Sequence, residues 1–409
     1  MPEATKTFEY AVRDRSGKLV KGRIEASNSA AVANRLKTMG LAPVTIDEVS
    51  STGLKRELSI PGFGNKVKLK DLSIMSRQLS TMITAGLSIL RSLNILAEQT
   101  ENKTLSKVLS QVRSDVETGS SLSQALTKHP LVFPPLMINM IKAGEVGGFL
   151  DTVLVSIADN FEAEVRLRGK VKSAMTYPVV VFCIAIVAVV GMLIFIVPVF
   201  TAMFASLGGE LPAPTKVLVF LSAVMKWTAL PLIVGLIAFV GWWSRHKNDR
   251  AIRERLDPLK LKMPVFGNLI RKIAVARFTR NFGTMLHSGV PILQALDIVG
   301  ETSGNIVIER AARSVQESVR SGQSLTGPLS QHPVFPPMVV QMMAVGEDTG
   351  ALDLMLEKIA EFYDQEVEAT TDALTALIEP LMITVLGTVI GAMIVALYMP
   401  IFGVFDLIK

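Results

Sequence analysis

The apolar run at residues 178–200, PVVVFCIAIVAVVGMLIFIVPVF, decides the fold class of this chain. It lies within Ser173–Gly209, a stretch of 37 residues that contains no charged side chain. Two further uncharged stretches, Trp227–Ser244 and Pro380–Phe405, are 18 and 26 residues long. A helix needs about 20 apolar residues to cross the hydrocarbon core of a bilayer, so the sequence excludes a wholly soluble protein. The predicted transmembrane helices are 178–200, 227–243 and 380–402.

The composition of the 409-residue chain agrees with this assignment. Only 19% of the residues are charged and 49% are hydrophobic, whereas about a quarter of the residues of a soluble domain are charged. The single cysteine, Cys183, lies in the first apolar run, which excludes an intrachain disulfide and a cysteine-based metal site. The N-terminal segment MPEATKTFEY is polar, so we expect no cleavable secretory signal.

An internal repeat organises most of the chain. RQLSTMITAGLSIL at 77–90 aligns with RNFGTMLHSGVPIL at 280–293, an offset of 203 residues. One residue is then lost, because HPLVFPP at 129–135 corresponds to HPVFPP at 332–337. From there the offset is 202 residues, and both copies continue with a Gly-Glu pair and a Gly-x-Leu-Asp segment. The repeat predicts two helical bundles of the same construction.

The repeat continues into the membrane. Pro178 and Pro198 match Pro380 and Pro400, and the two prolines of each pair are 20 residues apart. That separation is about 30 Å along a helix, the thickness of one bilayer core. The first and third spans are therefore equivalent, and the middle span returns the chain so that both units have the same topology.

The sequence thus predicts a mainly α, polytopic membrane protein with three transmembrane helices, two repeated cytoplasmic α-helical bundles and a small α+β N-terminal domain. Strand-like segments in 8–26 and 41–49, with a helix between them, predict that domain. Gly86 and Gly289 interrupt the helical period of the bundles and indicate helix ends or close helix contacts. The remaining predicted boundaries are 1–50 for the α+β domain, 51–66 for a linker, 67–177 and 244–379 for the bundles, 201–226 for an external loop and 403–409 for an external tail.

Basic residues near the spans predict their orientation. Four Lys or Arg residues lie in 166–172, before the first span, and five lie in 245–255, after the second. The segment 201–226 between these spans contains only two, Lys216 and Lys226. We therefore expect a cytoplasmic (inner) membrane protein with a cytoplasmic N-terminus and an external C-terminus. The acidic flank of the third span does not contradict this, because the rule concerns Lys and Arg.

The sequence contains no pattern for catalysis or for a cofactor. There is no Gly-Lys-Ser/Thr loop for ATP, no Gly-x-Ser-x-Gly elbow, and the four histidines are not at metal-ligand spacings. The basic segments have no interleaved aromatic residues, so nucleic acid is not an expected partner. The spans contain no ionisable residue, which disfavours a transporter. A small transporter that oligomerises around a pore remains a remote alternative.

Four acidic residues repeat in both units and are candidate partner-binding residues. They are Glu145 and Asp151 in the first unit and Glu347 and Asp353 in the second. Helix capping is one interpretation of the two glutamates, and contact with a basic partner is the other. An acidic stripe in the second unit is either a solvated helix face or a site for a cation or an Arg-rich partner. Its residues are Glu361, Asp364, Glu368 and Asp372.

Taken in order, these motifs resemble the PilC/GspF family of inner-membrane platform proteins, which serve type IV pilus and type II secretion machines. The resemblance rests on the repeated segments above, on the two spans bounded by prolines, on FEYAVRDRSGKLVKGRIEA near the N-terminus and on GGELPAPTK after the first span. KSAMTYP before the first span and the ending IEPLMITVLGTVIGAMIVALYMPIF look more like the pilus branch.

The resemblance implies a non-enzymatic platform without cofactors that couples a hexameric cytoplasmic ATPase to the extraction and polymerisation of pilin subunits. It also implies contacts with inner-membrane alignment proteins, possible contact with a retraction ATPase, and self-association as a homodimer. A type II secretion platform that builds a pseudopilus is the alternative within the family. We place Glu145, Asp151, Glu347 and Asp353 at or near the surface that faces the ATPase, as a hypothesis.

Overall fold

A computed structural model of the chain describes residues 6–13, 19–26, 29–38, 42–48, 66–206, 211–247 and 249–407. The chain divides into two compact units, Met1–Lys66 and Val67–Lys409. The predicted linker lies outside the described residues, except for Lys66.

The described residues of the first unit form three strands and one helix: β1 (Lys6–Arg13), β2 (Leu19–Ala26), α1 (Ser29–Thr38) and β3 (Ala42–Glu48). Both β2 and β3 pair antiparallel with β1, which gives the strand order β2–β1–β3. Val32 and Leu36 of α1 are fully buried. Residues 14–18, between β1 and β2, lie outside the described residues.

The second unit begins with six helices that form the first repeat. These are α2 (Leu69–Thr84), α3 (Ile89–Gln99), α4 (Lys103–Glu117), α5 (Leu122–Thr127), α6 (Pro135–Gly147) and α7 (Leu150–Gly191). Ser88, Asn102 and Ser121 cap α3, α4 and α5 through their side-chain oxygens. Helix α6 begins at the second proline of the FPP motif, where the missing N–H costs no helical hydrogen bond.

Between the repeats, the described residues form three helices: α8 (Val197–Ser206), α9 (Ala213–His246) and α10 (Arg250–Lys262). A π-helical turn, Met192–Ile196, joins α7 to α8 directly before Pro198. Helix α9 is longer than the predicted second span, because residues 213–226, which the sequence assigns to an external loop, are helical. Most of 217–225 is apolar, and Pro214 stands in the first turn, where a proline favours helix initiation.

The second repeat has the same six helices. These are α11 (Phe266–His287), α12 (Ile292–Thr302), α13 (Ile306–Arg320), α14 (Thr326–Ser330), α15 (Pro337–Thr349) and α16 (Leu352–Leu407). Helix α7 packs along α2, and α16 packs along α11 in the same way. Helix α7 also packs against α11 and α16, so the buried side chains of both repeats form one continuous core.

In the described part of the chain, three helical segments are long and apolar enough to cross a membrane: Leu150–Phe204, Ala213–His246 and Leu352–Pro400. The first and third are equivalent, as the repeat predicts. Neither helix begins at Pro178 or Pro380, where the sequence places the start of the spans; both prolines lie inside long helices. An interior proline removes one backbone hydrogen bond, and the helical turns on both sides of it remain.

Candidate functional site

The Gly-Glu pairs lie in the last turns of helices α6 and α15. The Glu145 carboxylate accepts hydrogen bonds from the amide nitrogens of Leu122, at 2.6 Å, and Ser123, at 3.2 Å. The Ser123 hydroxyl donates to the same carboxylate. These amides are the first two of helix α5 and have no partner within the helix. Glu145 therefore caps α5 and places a negative charge at its N-terminus.

Glu347 has the same position in the second repeat. Its Oε1 accepts a hydrogen bond from the amide of Leu325, at 2.8 Å, directly before helix α14. Both glutamates are half-buried. Of the two interpretations left open by the sequence, this geometry favours capping for Glu145 and Glu347.

The glycines of the repeated motif allow each short helix to turn back against the long helix that follows. A Cβ on Gly144 would lie 3.0 Å from the Val153 side chain, and one on Gly346 would lie 2.9 Å from the Leu352 Cα. Gly148 and Gly350 end α6 and α15 with φ of 77° and 72°, a left-handed conformation that favours glycine. The motif thus fixes a tight hairpin at the start of α7 and of α16.

The two aspartates of the motif lie at these hairpins, in the first turns of the long helices. Asp151 is exposed. Asp353 is partly exposed, and its Oδ2 lies 3.3 Å from Nδ1 of His287 on α11. The hairpins are the ends of α7 and α16 farthest from the apolar segments, because the 28 residues from Leu150 to Pro178 extend about 42 Å along a helix. The structure therefore separates the four candidate acids into two capping glutamates and two surface aspartates.

The other predicted repeat residues have structural positions. Gly86 follows α2 and Gly289 follows α11, with φ of 88° and 71°. The prolines lie within helices: Pro178 in α7, Pro198 in α8, Pro380 and Pro400 in α16. Pro198 and Pro400 differ in their surroundings, since only Pro198 follows a π-helical turn in the described part of the chain.

A repeated arginine–carboxylate pair joins the first and last helices of each repeat. Arg77 of α2 binds Glu162 of α7, with 2.7 Å between Nε and Oε1, and also binds Asp159. The matching Arg280 of α11 binds Asp364 of α16. Both the arginines and their acidic partners repeat in the sequence, but the sequence did not indicate that they pair with each other. The signal available was this joint repetition, with 85 residues from Arg77 to Glu162 and 84 from Arg280 to Asp364.

A buried charge cluster lies where the two repeats meet. Glu164 of α7 is only 7% exposed and binds Arg277 of α11, at 2.7 Å, and Arg168, at 2.6 Å. Beside it, the Asn160 amide donates to Oδ1 of Asn281 at 3.1 Å. Burial raises the pKa of the Glu164 carboxyl, but the two guanidinium groups outweigh it and hold the pKa below its usual range. Glu164 lies before the apolar segment and is ionised in this cluster.

An open cleft of about 410 Å³ lies between α7, α11 and α16. Asp353 lines this cleft together with four further acids, two arginines and one histidine. Asn160 and Thr284 also line it, and the Asn160 amide donates a hydrogen bond to the Thr284 hydroxyl. The acids are Asp159, Asp353, Glu357, Glu361 and Asp364, and the others are Arg166, Arg280 and His287. Since Arg280 is engaged by Asp364, the cleft has an acidic excess suited to lysine or arginine side chains of a partner.

The acidic stripe of α16 is largely paired within the chain. Glu361 binds Lys358 at 2.9 Å, Asp364 binds Arg280, and Glu368 binds Lys170 of α7. Burial raises the pKa of the Asp364 carboxyl, against the opposing effect of Arg280. In the described part of the chain no three His, Cys, Asp or Glu side chains are grouped so as to hold a metal ion. These contacts weaken the interpretation of the stripe as a cation site.

Comparisons with known proteins agree with the repeat. The family described as type II secretion system (T2SS), protein F, matches residues 75–198 and 278–400, and its N-terminal domain matches residues 1–47. The two larger segments begin in α2 and α11 and end in the equivalent spans.

Full-length relatives come from both branches. The type IV pilus assembly protein PilC of Myxococcus xanthus is 44% identical over 407 residues, covering 100% of this chain and 97% of the relative. PilC of Thermus thermophilus is 44% identical over 398 residues, which is 97% of this chain and 98% of the relative. The type II secretion system protein F of Vibrio cholerae is 32% identical over 404 residues, with 98% and 99% coverage.

Proposed function

The chain belongs to the type II secretion system F family, in its PilC branch, and we propose that it is the inner-membrane platform of a type IV pilus assembly machine. In this proposal the chain is not an enzyme. It couples a hexameric cytoplasmic ATPase to the extraction of pilin subunits from the bilayer and to their polymerisation. The higher identity to pilus assembly proteins, 44% against 32% for a secretion protein, favours the pilus machine over a pseudopilus.

The observation that carries this proposal is the continuity of α7 and α16. Each runs from a hairpin at the far end of a bundle through the predicted membrane boundary at Pro178 or Pro380 without a break. Apart from the bond that each interior proline removes, such a continuous helix keeps its backbone hydrogen bonds on both sides of the boundary. A displacement of the hairpins by an ATPase would therefore move the transmembrane segments as well.

We assign the ATPase contact to Asp151 and Asp353. Both lie at the hairpins, with side chains that reach solvent, and Asp353 borders the acidic cleft. Glu145 and Glu347 support the same surface indirectly, because they hold α5 and α14 against the hairpins. A basic surface on the ATPase would complement these acids.

The orientation and the other partners complete the proposal. The N-terminus and the two bundles lie in the cytoplasm, and the C-terminus lies outside, as the basic residues at 166–172 and 245–255 favour. The segment LGGELPAPT at 207–215 would then face the external side near the site where pilins leave the bilayer. Self-association as a homodimer and contacts with alignment proteins belong to the same proposal.

Copurification of the assembly ATPase with charge-reversed variants tests the contact. Asp151→Lys and Asp353→Lys should reduce the recovered ATPase while the chain stays folded and inserted. Glu101→Lys is the matched control, because Glu101 is an exposed acid next to Asn102, which binds Asp71 at the start of α2, the end of that helix away from the hairpin. Recovery of the ATPase unchanged by both aspartate variants would contradict the assignment.

A further inference from the structure

The turn between α10 and α11 presents apolar side chains to solvent outside the three candidate spans. Leu259 is 60% exposed, Met263 44% and Val265 57%. They lie within one stretch of seven residues, 259–265, which leads directly into α11. Exposed apolar clusters of this kind mark contact surfaces.

The conformation of the turn holds Val265 in this exposed position. Val265 has φ of 70° and ψ of −57°, and the amide of Phe266 donates to the carbonyl of Pro264 at 2.8 Å. This is a γ-turn, a strained conformation for a β-branched residue. Among the described residues, Val265 is the only non-glycine residue with positive φ. Strained backbone of this type clusters at functional surfaces.

One face of α10 is held against the start of α13, so the opposite face is the one exposed to solvent. Asp257 of α10 is 3% exposed and accepts a hydrogen bond from the amide of Ile306, at 3.2 Å, at the start of α13. Lys260 binds the other oxygen of Asp257 at 2.9 Å. With this face held against α13, the outer face exposes Leu259 together with Arg255 and Lys262.

The packing of α11 places the turn at the level of the membrane boundary. Helix α11 runs antiparallel to α16, since Gly283 lies beside Leu356 whereas Lys272 binds Glu366. The first turns of α11 pack between the two long helices, and this cluster consists of Leu167, Val171, Phe266, Leu269, Ile273, Val367 and Leu374.

The distance to the apolar segments follows from this cluster. Val171 is seven residues before Pro178 and Leu374 is six before Pro380, so both lie about 10 Å from the apolar segments along their helices. Residues 263–265 precede Phe266 and therefore lie on the membrane side of the cluster.

We propose that the α10–α11 turn docks on the cytoplasmic membrane surface, with Leu259, Met263 and Val265 inserted among anionic lipids. We assign lipid as the partner of this surface for two reasons. The exposed apolar side chains lie on the membrane side of the α11 cluster, and two exposed basic residues, Arg255 and Lys262, flank them. Basic residues at a bilayer surface are attracted to anionic headgroups, and apolar side chains gain by leaving water. This proposal depends on the membrane spans but not on the ATPase or pilin assignments.

A site-specific fluorophore in the full-length chain tests the proposal. Cys183 is the only cysteine, so Cys183→Ser provides a background for Val265→Cys and for the matched control Val146→Cys. Val146 is also an exposed valine, 85% accessible, but it lies at the α6–α7 hairpin, the end far from the apolar segment. Both variants are labelled with an environment-sensitive dye and reconstituted into vesicles that contain phosphatidylglycerol.

Two quenchers then distinguish lipid from water. We expect nitroxide-labelled lipid to quench the dye at position 265 and aqueous iodide to leave it bright, with the reverse result at position 146. Replacing phosphatidylglycerol by phosphatidylcholine, or adding Arg255→Glu and Lys262→Glu, should cause a loss of lipid quenching at 265 and no change at 146.

Three outcomes would overturn the proposal. Equal iodide quenching at positions 265 and 146 would place the turn in water. Protection of position 265 from both quenchers would indicate a protein contact, such as a second copy of the chain. Lipid quenching that does not depend on phosphatidylglycerol or on the two basic residues would remove the anionic-lipid assignment.

Discussion

The two repeats place the same arginine–carboxylate pair in different surroundings. In the first repeat, Arg77 is partly exposed, and its hydrogen bond to Glu162 holds the pKa of that carboxyl below its usual range. In the second repeat, Arg280 is buried, and burial raises the pKa of its partner Asp364. The sequence of the repeat preserves the pair, whereas the packing between the repeats determines its electrostatic environment.

A second comparison shows where that packing acts. Glu164 of α7 is buried against Arg277 of the other repeat, while the equivalent Glu366 of α16 is 39% exposed and binds Lys272 at 2.6 Å. Helix α7 lies between the two bundles, and the corresponding face of α16 has solvent beside it. One repeat position thus has a buried glutamate in one copy and a partly exposed glutamate in the other.

Replacing Glu164 and Glu366 tests this difference in burial and has the largest expected effect on stability. Glu164→Gln should reduce the free energy of unfolding by about 3–5 kcal/mol, because it removes the buried carboxylate charge and leaves the partly buried Arg277 without its charged partner. Glu366→Gln is the matched control and should cost at most about 1 kcal/mol, because the Glu366 carboxylate is partly exposed to water. Thermal melting of the full-length variants in detergent measures both. An equal loss of stability in the two variants would contradict the difference in burial between Glu164 and Glu366.

Adding a methyl group at the hairpin glycines should have the next largest effect. Gly144→Ala and Gly346→Ala bring a Cβ to 3.0 and 2.9 Å from atoms of the following helix, which costs about 1–3 kcal/mol of overpacking. Gly169→Ala is the control, because a Cβ there meets open space within α7. Its melting temperature should stay the same or rise. Full stability of both hairpin variants would contradict the close approach that the motif provides.

Truncating the two capping glutamates compares how much each cap contributes to stability in the two repeats. Glu145→Ala should cost about 2 kcal/mol, since it removes the partner of two backbone amides and one hydroxyl. Glu347→Ala should cost about 1 kcal/mol, because one amide loses its acceptor. The melting temperatures of the two variants give the order. A larger loss at Glu347 would reverse the assignment of the stronger cap.

The pH dependence of the repeated pair gives the smallest and most specific effect. The lowered pKa of Glu162 means that its stabilising contribution is present above the unfolded-state pKa and is lost as the pH falls through the folded-state value. The destabilisation caused by Glu162→Gln should therefore shrink on acidification. The raised pKa of Asp364 has the opposite sign: its protonated form is favoured in the fold, and stability is lost as the pH rises.

It follows that the destabilisation caused by Asp364→Asn should grow as the pH is lowered from neutral. Melting of both variants and of the unchanged chain over a pH series measures the two slopes. Slopes of the same sign would contradict the difference in burial between the two pairs.

The sequence predicts much of this fold because its signals are local or repeated. The uncharged stretches predict the three spans, and the offset of about two hundred residues between matching motifs predicts the two bundles. Gly86 and Gly289 indicated helix ends because a left-handed residue after a helix favours glycine. Pro178 and Pro380, by contrast, do not mark the start of a helix. A single proline can lie inside a helix, and these two lie inside α7 and α16.

The candidate site was less predictable because it depends on contacts between distant residues. Glu145 and Glu347 repeat in sequence whether they cap a helix or bind a partner, and only their hydrogen bonds to Leu122 and Leu325 favour capping. The cluster around Glu164 joins residues more than a hundred positions apart. No spacing within one repeat indicates that pairing.

Deletion of this chain from its host tests the central claim, that it is the platform of a pilus machine, most directly. Surface pili are counted by electron microscopy and secreted exoproteins are measured in the same cultures, with the unchanged chain restored as the control. We predict loss of pili with normal secretion. Intact pili with exoproteins retained in the periplasm would contradict the claim and place the chain in a type II secretion machine.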